Sequence, residues 1–223
     1  MKKKLKGKVA LVAGSSRGLG RSVAKLLARE GAELILVART IGALEELDDE
    51  IQSIGSRSTI VPMDLEDNDT IDALGQEIYK KWGKLDILIS TAAIVGDITP
   101  ISHLDPKVWD KVININLTVN YRLIRSLEPL LKNSEKAHAI FITDGMIKEI
   151  QPFWAPYHIS KLGLESLIEI WKKELTLTNI KALTFDPGKM NTELRASFMP
   201  GENGQKLNHP DEISKKVLSL INF

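Results

Sequence analysis

Apolar positions along the chain fall into six short runs, separated by longer stretches in which they recur every three or four residues. The runs at 9–13, 33–38, 58–63, 85–90, 139–143 and 181–185 have strand length and are mostly rich in Val, Ile and Leu. Between them the spacing predicts helices at about 19–30, 42–54, 69–82, 105–131 and 155–178, with a last one at 211–221 behind His209-Pro210. Strands that are apolar on both faces and alternate with helices predict a parallel sheet covered on both sides. Right-handed crossovers then give an α/β, doubly wound, Rossmann-type sheet of about six strands in the order 3-2-1-4-5-6. Ligands of such a sheet lie at the carboxyl ends of its strands. No internal repeat or linker interrupts the pattern, so residues 1–223 read as a single domain. The stretch at about 190–208, with Pro200-Gly201-Glu202-Asn203-Gly204, has little core pattern and reads as a lid over a substrate.

Charge and composition narrow the classes. Thirty Lys and Arg against 29 Asp and Glu leave a net charge of +1, which offers no field for nucleic acid. The lysines at 2, 3, 4, 6 and 8 read as a solvated N-terminal tail. The apolar run after them is too short for a signal peptide and is cut off by glycines, and no run of 18 apolar residues exists. A cytoplasmic protein without a membrane partner is expected. The absence of cysteine excludes disulfides, a thiolate nucleophile and cysteine-bound zinc. Four scattered histidines have no metal-ligand spacing, and no metal is expected.

The first candidate chemistry is Gly14-Ser15-Ser16-Arg17-Gly18-Leu19-Gly20, directly after the first strand and opening a helix. Unpaired N–H groups and the helix dipole converge there, which makes an anion site suited to a dinucleotide pyrophosphate. Gly14, Ser16, Arg17, Gly18, Leu19 and Gly20 are its candidate ligands. No Gly-Lys-Ser/Thr follows, so a P-loop is excluded. The second strand runs into Ala38-Arg39, with no carboxylate to receive a ribose 2′-OH and a guanidinium where a 2′-phosphate would lie. A charge-assisted hydrogen bond is worth about 1.5–3 kcal/mol, so Arg39 and Arg17 favour NADP(H) over NAD(H).

Tyr157-His158-Ile159-Ser160-Lys161 sets a phenol and an ammonium on one helix face. A free tyrosine titrates near 10. A cation at ~4 Å contributes on the order of 4 kcal/mol in a partly screened site, enough to bring the phenol toward working range. Trp154 falls beside this pair and is expected near the substrate pocket, whereas Trp82, Trp109 and Trp171 fit apolar helix faces.

Taken in order, Gly14-x-x-x-Gly18-x-Gly20, Asp64-Leu65, Asn116 in Ile115-Asn116-Leu117-Thr118, Tyr157-x-x-x-Lys161 and Pro187-Gly188-Lys189-Met190-Asn191-Thr192 resemble the short-chain dehydrogenase/reductase family. The likeness runs from about Lys6 to Asn222. It implies that Asp64 and Leu65 border the adenine and that Lys161 holds the nicotinamide ribose. Tyr157 would exchange a proton with the substrate, Asn116 would support a water-linked relay, and Pro187, Gly188 and Thr192 would line the nicotinamide. It also implies a homodimer through helices 105–131 and 155–178.

Two departures from the family pattern stand out. Its Asn-Asn-Ala-Gly after the fourth strand is replaced by Ser90-Thr91-Ala92-Ala93. Small residues such as Ala92 still let the backbone approach the cofactor, but the asparagine bonds to neighbouring strands are expected to be lost. The family's catalytic serine falls on Asp144. An ionised carboxylate cannot donate to a developing oxyanion, and losing such a donor costs about 10²–10³ in rate. Three readings follow: Asp144 is protonated in a dry pocket and donates, Thr143 supplies the hydroxyl, or the carbonyl chemistry is degraded. The first two give an NAD(P)-dependent oxidoreductase of small carbonyl or hydroxyl compounds. The third gives an NADP(H)-binding regulatory or scaffold protein. Longer family members add a seventh strand, for which this chain has no segment.

Overall fold

The computed structural model describes residues 3–223; Lys2, counted with the N-terminal lysines, lies outside them. Six strands, β1 (Val9–Ala13), β2 (Glu33–Ala38), β3 (Ser58–Pro62), β4 (Ile87–Ser90), β5 (Ala137–Ile142) and β6 (Ile180–Phe185), form one parallel sheet in the order β3-β2-β1-β4-β5-β6. This is the doubly wound order expected from the hydrophobic pattern. Strands β1, β4 and β5 are buried along their whole length, because helices cover both faces.

Successive side chains of a strand point to opposite faces, so each strand feeds two cores. Leu11, Ile35, Leu88 and Phe141 pack on one side with α3 (Asn68–Trp82), α5 (Val119–Lys132) and α6 (Ala155–Glu174). Val12, Leu34, Leu36 and Ile140 pack on the other with α1 (Gly18–Arg29), α2 (Ile41–Ser53) and α8 (Pro210–Ser219). Helix ends follow local chemistry. Asp67 caps α3 by accepting from Asp69 and Thr70 N–H, and Gly83 (φ 69°) closes it in the left-handed region. Asp105 caps α4 (Pro106–Ile113), with Pro106 in its first turn.

The helix expected at 105–131 is interrupted. Between α4 and α5 the chain makes a π-helical turn at Asn114–Thr118. The widened turn accommodates Asn116, fully buried, whose amide exchanges hydrogen bonds with Ile94: N–H to Oδ1 at 2.9 Å and Nδ2 to the carbonyl at 2.8 Å. The helix expected at 155–178 ends at Glu174. The stretch at 190–208 is more ordered than its composition suggests. It holds α7 (Glu193–Phe198), capped by Thr192, a 3₁₀ turn at Gly204–Lys206, and a bridge between Met190 and Asn208 that ties its two ends together.

The solvated tail also needs correction. Leu5 is buried and its N–H bonds the Glu30 carbonyl at 2.8 Å. Lys8 reaches the Asp86 carboxylate at 3.5 Å and lies 4.0 Å from the Phe223 ring centroid.

Candidate active site

A cavity of about 760 Å³ opens at the carboxyl ends of the strands and extends from the glycine loop to the start of α6. Its first wall follows from β1 running into α1. Gly14 and Ser15 N–H bond the Val37 carbonyl at 2.9 and 3.2 Å, which pins the loop to β2. Gly14 has φ +84°, and a Cβ there would lie 2.7 Å from Thr91 Oγ1; a Cβ at Gly20 would strike the Gly14 carbonyl. Only glycine permits this approach of strand, loop and helix. α1 has no side-chain cap, unlike the Asp-capped α3 and α4, and no acid in its first turn. Its first residues, Gly18, Leu19 and Gly20, line the cavity with N–H groups left for a ligand. An uncapped N-terminus, a cavity of this size and flanking cations fit a dinucleotide phosphate.

Every residue assigned to the cofactor lines this one cavity: the glycine loop with Ser16 and Arg17, then Arg39, Asp64, Leu65, Ala92, Lys161, Pro187, Gly188 and Thr192. Arg17 pairs with Glu193 of α7 at 2.8 Å, both largely exposed. Arg39 stands 3.8 Å from Glu66, which also holds Lys111 at 2.7 Å. Glu66 and Lys111 escaped the sequence reading, because the loop after β3 and helix α4 meet Arg39 only in the fold. Asp64 accepts from Glu66 N–H at 3.0 Å, which fixes the loop that carries this carboxylate.

The bonds expected to vanish with the asparagine pair are partly replaced. Thr91 Oγ1 donates to the carbonyls of Ala13 and Gly14 (2.9 and 3.1 Å), and Ser90 Oγ to Asn120 Oδ1 (2.6 Å). The link between β1 and β4 is therefore kept by a hydroxyl.

At the far end, the start of α6 brings Tyr157 to Asp144: the phenol donates to Asp144 Oδ2 at 2.7 Å. Met146 N–H donates to Asp144 Oδ1 at 2.9 Å. Both carboxylate oxygens are thus acceptors, and Asp144 is only half-buried, against the reading of a proton donor in a dry pocket. Thr143 also lines the cavity, and its Oγ1 donates to Glu165 at 2.9 Å. Lys161 is buried and its Nζ donates to the Ile142 carbonyl at 2.9 Å.

The electrostatics run opposite to the expectation for a lysine-tuned phenol. Burial pushes the Tyr157 pKa up, and the charge and hydrogen bond of Asp144 push it further, with Arg195 opposing. Burial lowers the Lys161 ammonium to about 8, against the pull of Asp144. Asn116 does not line the cavity. Its Nδ2 donates to Ser160 Oγ at 3.0 Å, Ser160 Oγ donates to the Tyr157 carbonyl, and its own carbonyl accepts from Asn120. Asn116 thus ties Ile94 to Ser160 of α6. Among the described residues no cluster of three His, Asp or Glu is arranged for a metal, and no helix is long and apolar enough to cross a membrane.

Comparison with known proteins gives the same picture. Residues 8–203 match the model of the short chain dehydrogenase family. The uncharacterized oxidoreductase YciK of Escherichia coli (strain K12) is 29% identical over 220 residues, which cover 97% of this chain and 87% of that protein. A solved chain from Pseudomonas syringae, described provisionally as a short chain dehydrogenase, superposes with a TM-score of 0.94 at 32% identity, covering 99% of this chain and 91% of its own. A chain from Shigella flexneri 2a str. 301, solved in complex with NADP, superposes with a TM-score of 0.92 at 29% identity, covering 99% and 93%.

Proposed function

The chain belongs to the short-chain dehydrogenase/reductase family of oxidoreductases, and from that premise we propose that it uses NADP(H) to exchange hydride with a small substrate bound between Tyr157 and α7. The observation that carries the reading is the meeting of Tyr157, Lys161 and the glycine loop on one cavity at the strand ends. Arg39 and Arg17 beside that cavity support a 2′-phosphate. The NADP held by the Shigella flexneri relative supports the same choice.

When bound, the nicotinamide supplies the hydride. The chain does the rest. α1 and the glycine loop bind the pyrophosphate, Asp64 and Leu65 border the adenine, and Pro187, Gly188 and Thr192 line the nicotinamide. Lys161, held on the Ile142 carbonyl, orients the ribose, and Tyr157 holds the proton at its phenolic oxygen. α7 and the bridged segment 190–208 close over the substrate as the lid of a single domain. The exposed Ile159, Leu162 and Ile170 of α6, with Tyr121 of α5, support pairing of two copies through these helices. We place the protein in the cytoplasm.

The rival reading, a cofactor-binding protein without turnover, rests on Asp144 where a hydroxyl donor would stand. Tyr157→Phe separates the two. NADPH is expected to bind both proteins within a few-fold, and its substrate-dependent oxidation to fall by about 10²–10⁴ in the variant. Unchanged turnover would remove Tyr157 from the chemistry. A wild type that binds NADPH tightly but oxidises it with no carbonyl or imine would favour the rival.

A further inference from the structure

The substrate end of the cavity offers an acceptor where carbonyl chemistry calls for a donor. Hydride arriving at a carbonyl carbon drives negative charge onto oxygen, and sites built for that aim O–H or N–H groups at it. Beside Tyr157 stands the Asp144 carboxylate, with its phenol contact at 2.7 Å and its other oxygen on Met146 N–H. The Thr143 hydroxyl is committed to Glu165. A second carboxylate, Asp186, lies against Gly145 and is held by Gly188 N–H at 2.8 Å.

The neighbouring cations are engaged elsewhere. Lys161 is bonded to the Ile142 carbonyl, and Arg195 grips both oxygens of Glu202, which Lys189 also approaches at 3.9 Å. Arg195, so held, lines this end of the cavity with Met190 and Leu194, and aromatic rings stand among them. Tyr157 and Phe198 line the cavity, and Trp154 sits edge-on to both, at 6.0 and 5.2 Å between centroids. Phe198 already carries the Arg195 guanidinium 5.8 Å from its centroid. A carboxylate beside aromatic rings is an environment that holds a cation.

From this juxtaposition, and resting on the hydride-transfer reading above, we infer that the reacting group of the substrate is a protonated carbon–nitrogen double bond, an iminium, rather than a neutral carbonyl. The balance is simple. Hydride from the reduced nicotinamide forms the new C–H bond, the C=N π pair becomes the nitrogen lone pair, and the positive charge passes from the substrate to the oxidised cofactor. An imine that enters neutral takes its proton from the Tyr157 phenol before the hydride moves, one that enters protonated brings its own, and the amine takes another from water on release. Asp144 acts by holding the nitrogen in its protonated, electrophilic form, and a substrate oxygen is disfavoured at the same place.

The test begins without cofactor, so that it reads the residues rather than turnover. Benzamidinium and benzamide are planar and nearly isosteric, one a cation and the other neutral. By calorimetry at about pH 7, benzamidinium is expected to bind wild type about tenfold or more tighter than benzamide. In Asp144→Asn, which keeps the side-chain size and an acceptor for Met146 N–H, the ratio is expected to fall toward one. With NADPH added, 2-methyl-1-pyrroline is expected to be consumed faster than cyclopentanone by wild type, and more slowly than it by Asp144→Ser. Equal binding of the two probes, or a preference that survives in folded Asp144→Asn, overturns the inference. Oxidation of NADPH with cyclopentanone but no cation preference leaves the hydride-transfer reading standing and removes this one. Failure to bind NADPH at all removes both.

Discussion

The two ends of the sheet each hold an aspartate, and the two are treated in opposite ways. At the amino ends, just before β4, the Asp86 side chain is 0% exposed and fully partnered. It accepts from Val9 N–H at 2.9 Å and Ser134 Oγ at 2.6 Å, with Lys84 at 3.0 Å and Lys8 at 3.5 Å. At the carboxyl ends, just after β5, Asp144 is half-buried and has a phenol and one backbone N–H but no cation on it. A carboxylate enclosed by donors and cations is spent on holding strands together. One that faces a cavity beside a phenol leaves an acceptor open to that cavity. The same residue type is enclosed at one end and open to a cavity at the other because of its company.

The largest effect should come from breaking the enclosed end. Asp86→Ala leaves Val9 N–H buried without an acceptor and two lysines without their anion, so unfolding should become easier by about 3–5 kcal/mol. The affinity of the folded protein for NADPH should be unchanged. Urea unfolding beside a cofactor titration checks both. Acid should expose the same contrast. Burial alone would raise the Asp86 carboxyl, but Ser134, Val9 N–H and Lys84 outweigh it and hold it below its ordinary 3.8. Its stabilisation is therefore present above that value and lost as the pH falls through the lower folded value. The melting temperature of wild type should drop there, and that of Asp86→Ala should drop less.

Exchanging the open aspartate should do the reverse. Asp144→Ser restores a hydroxyl donor and still caps Met146 N–H, so stability should shift by less than about 1 kcal/mol, while ketone reduction rises by about 10². Steady-state rates with a simple ketone beside a melting curve measure this. No gain in rate would mean that the carboxylate does not oppose carbonyl chemistry.

The smallest effect concerns Lys161, whose ammonium burial has lowered to about 8. Protonated below that pH and neutral above it, the lysine should make kcat/KM fall about tenfold per unit on the alkaline side. Lys161→Arg, which cannot lose its proton in this range, should abolish the alkaline limb even though its basal rate is lower. A limb that persists unchanged in the variant would belong to another group.

The strands were readable because a parallel strand buried on both faces must be a continuous apolar run, and 9–13 and 33–38 are such runs. The glycine loop was readable because only glycine allows that approach of backbone to backbone. What escaped reading depends on distant partners. The break in the helix at 114–118 depends on Asn116 meeting Ile94 and Ser160, and nothing in its neighbours' periodicity marks it. α7 is six residues long and was hidden in a polar stretch, with the Thr192 cap as its one local sign. Lys8 looked like part of a basic tail, because its anion lies 78 positions away. Asp144 was legible as a residue out of pattern, but not the direction of its bond: that the Tyr157 phenol donates a hydrogen bond to the carboxylate emerges only when α6 is set against β5.

The π-helical turn at Asn114–Thr118 carries one residue more than an α-helical turn would need, and this makes the molecule sensitive to where in its gene a codon is lost. Each residue of an α-helix rotates the chain by about 100°. The widened turn absorbs its extra residue locally, so an in-frame loss of one codon within it would restore a continuous rod and leave the side chains of α5 facing nearly as they do now. The same loss one turn later, between Val119 and Arg122, would swing every following side chain by that angle. Leu127 would leave the core, and Ser126, whose hydroxyl accepts from Gly75 N–H at 2.9 Å, would turn away from α3. A point change at any of these positions removes one contact, whereas that deletion would misplace a whole helix face.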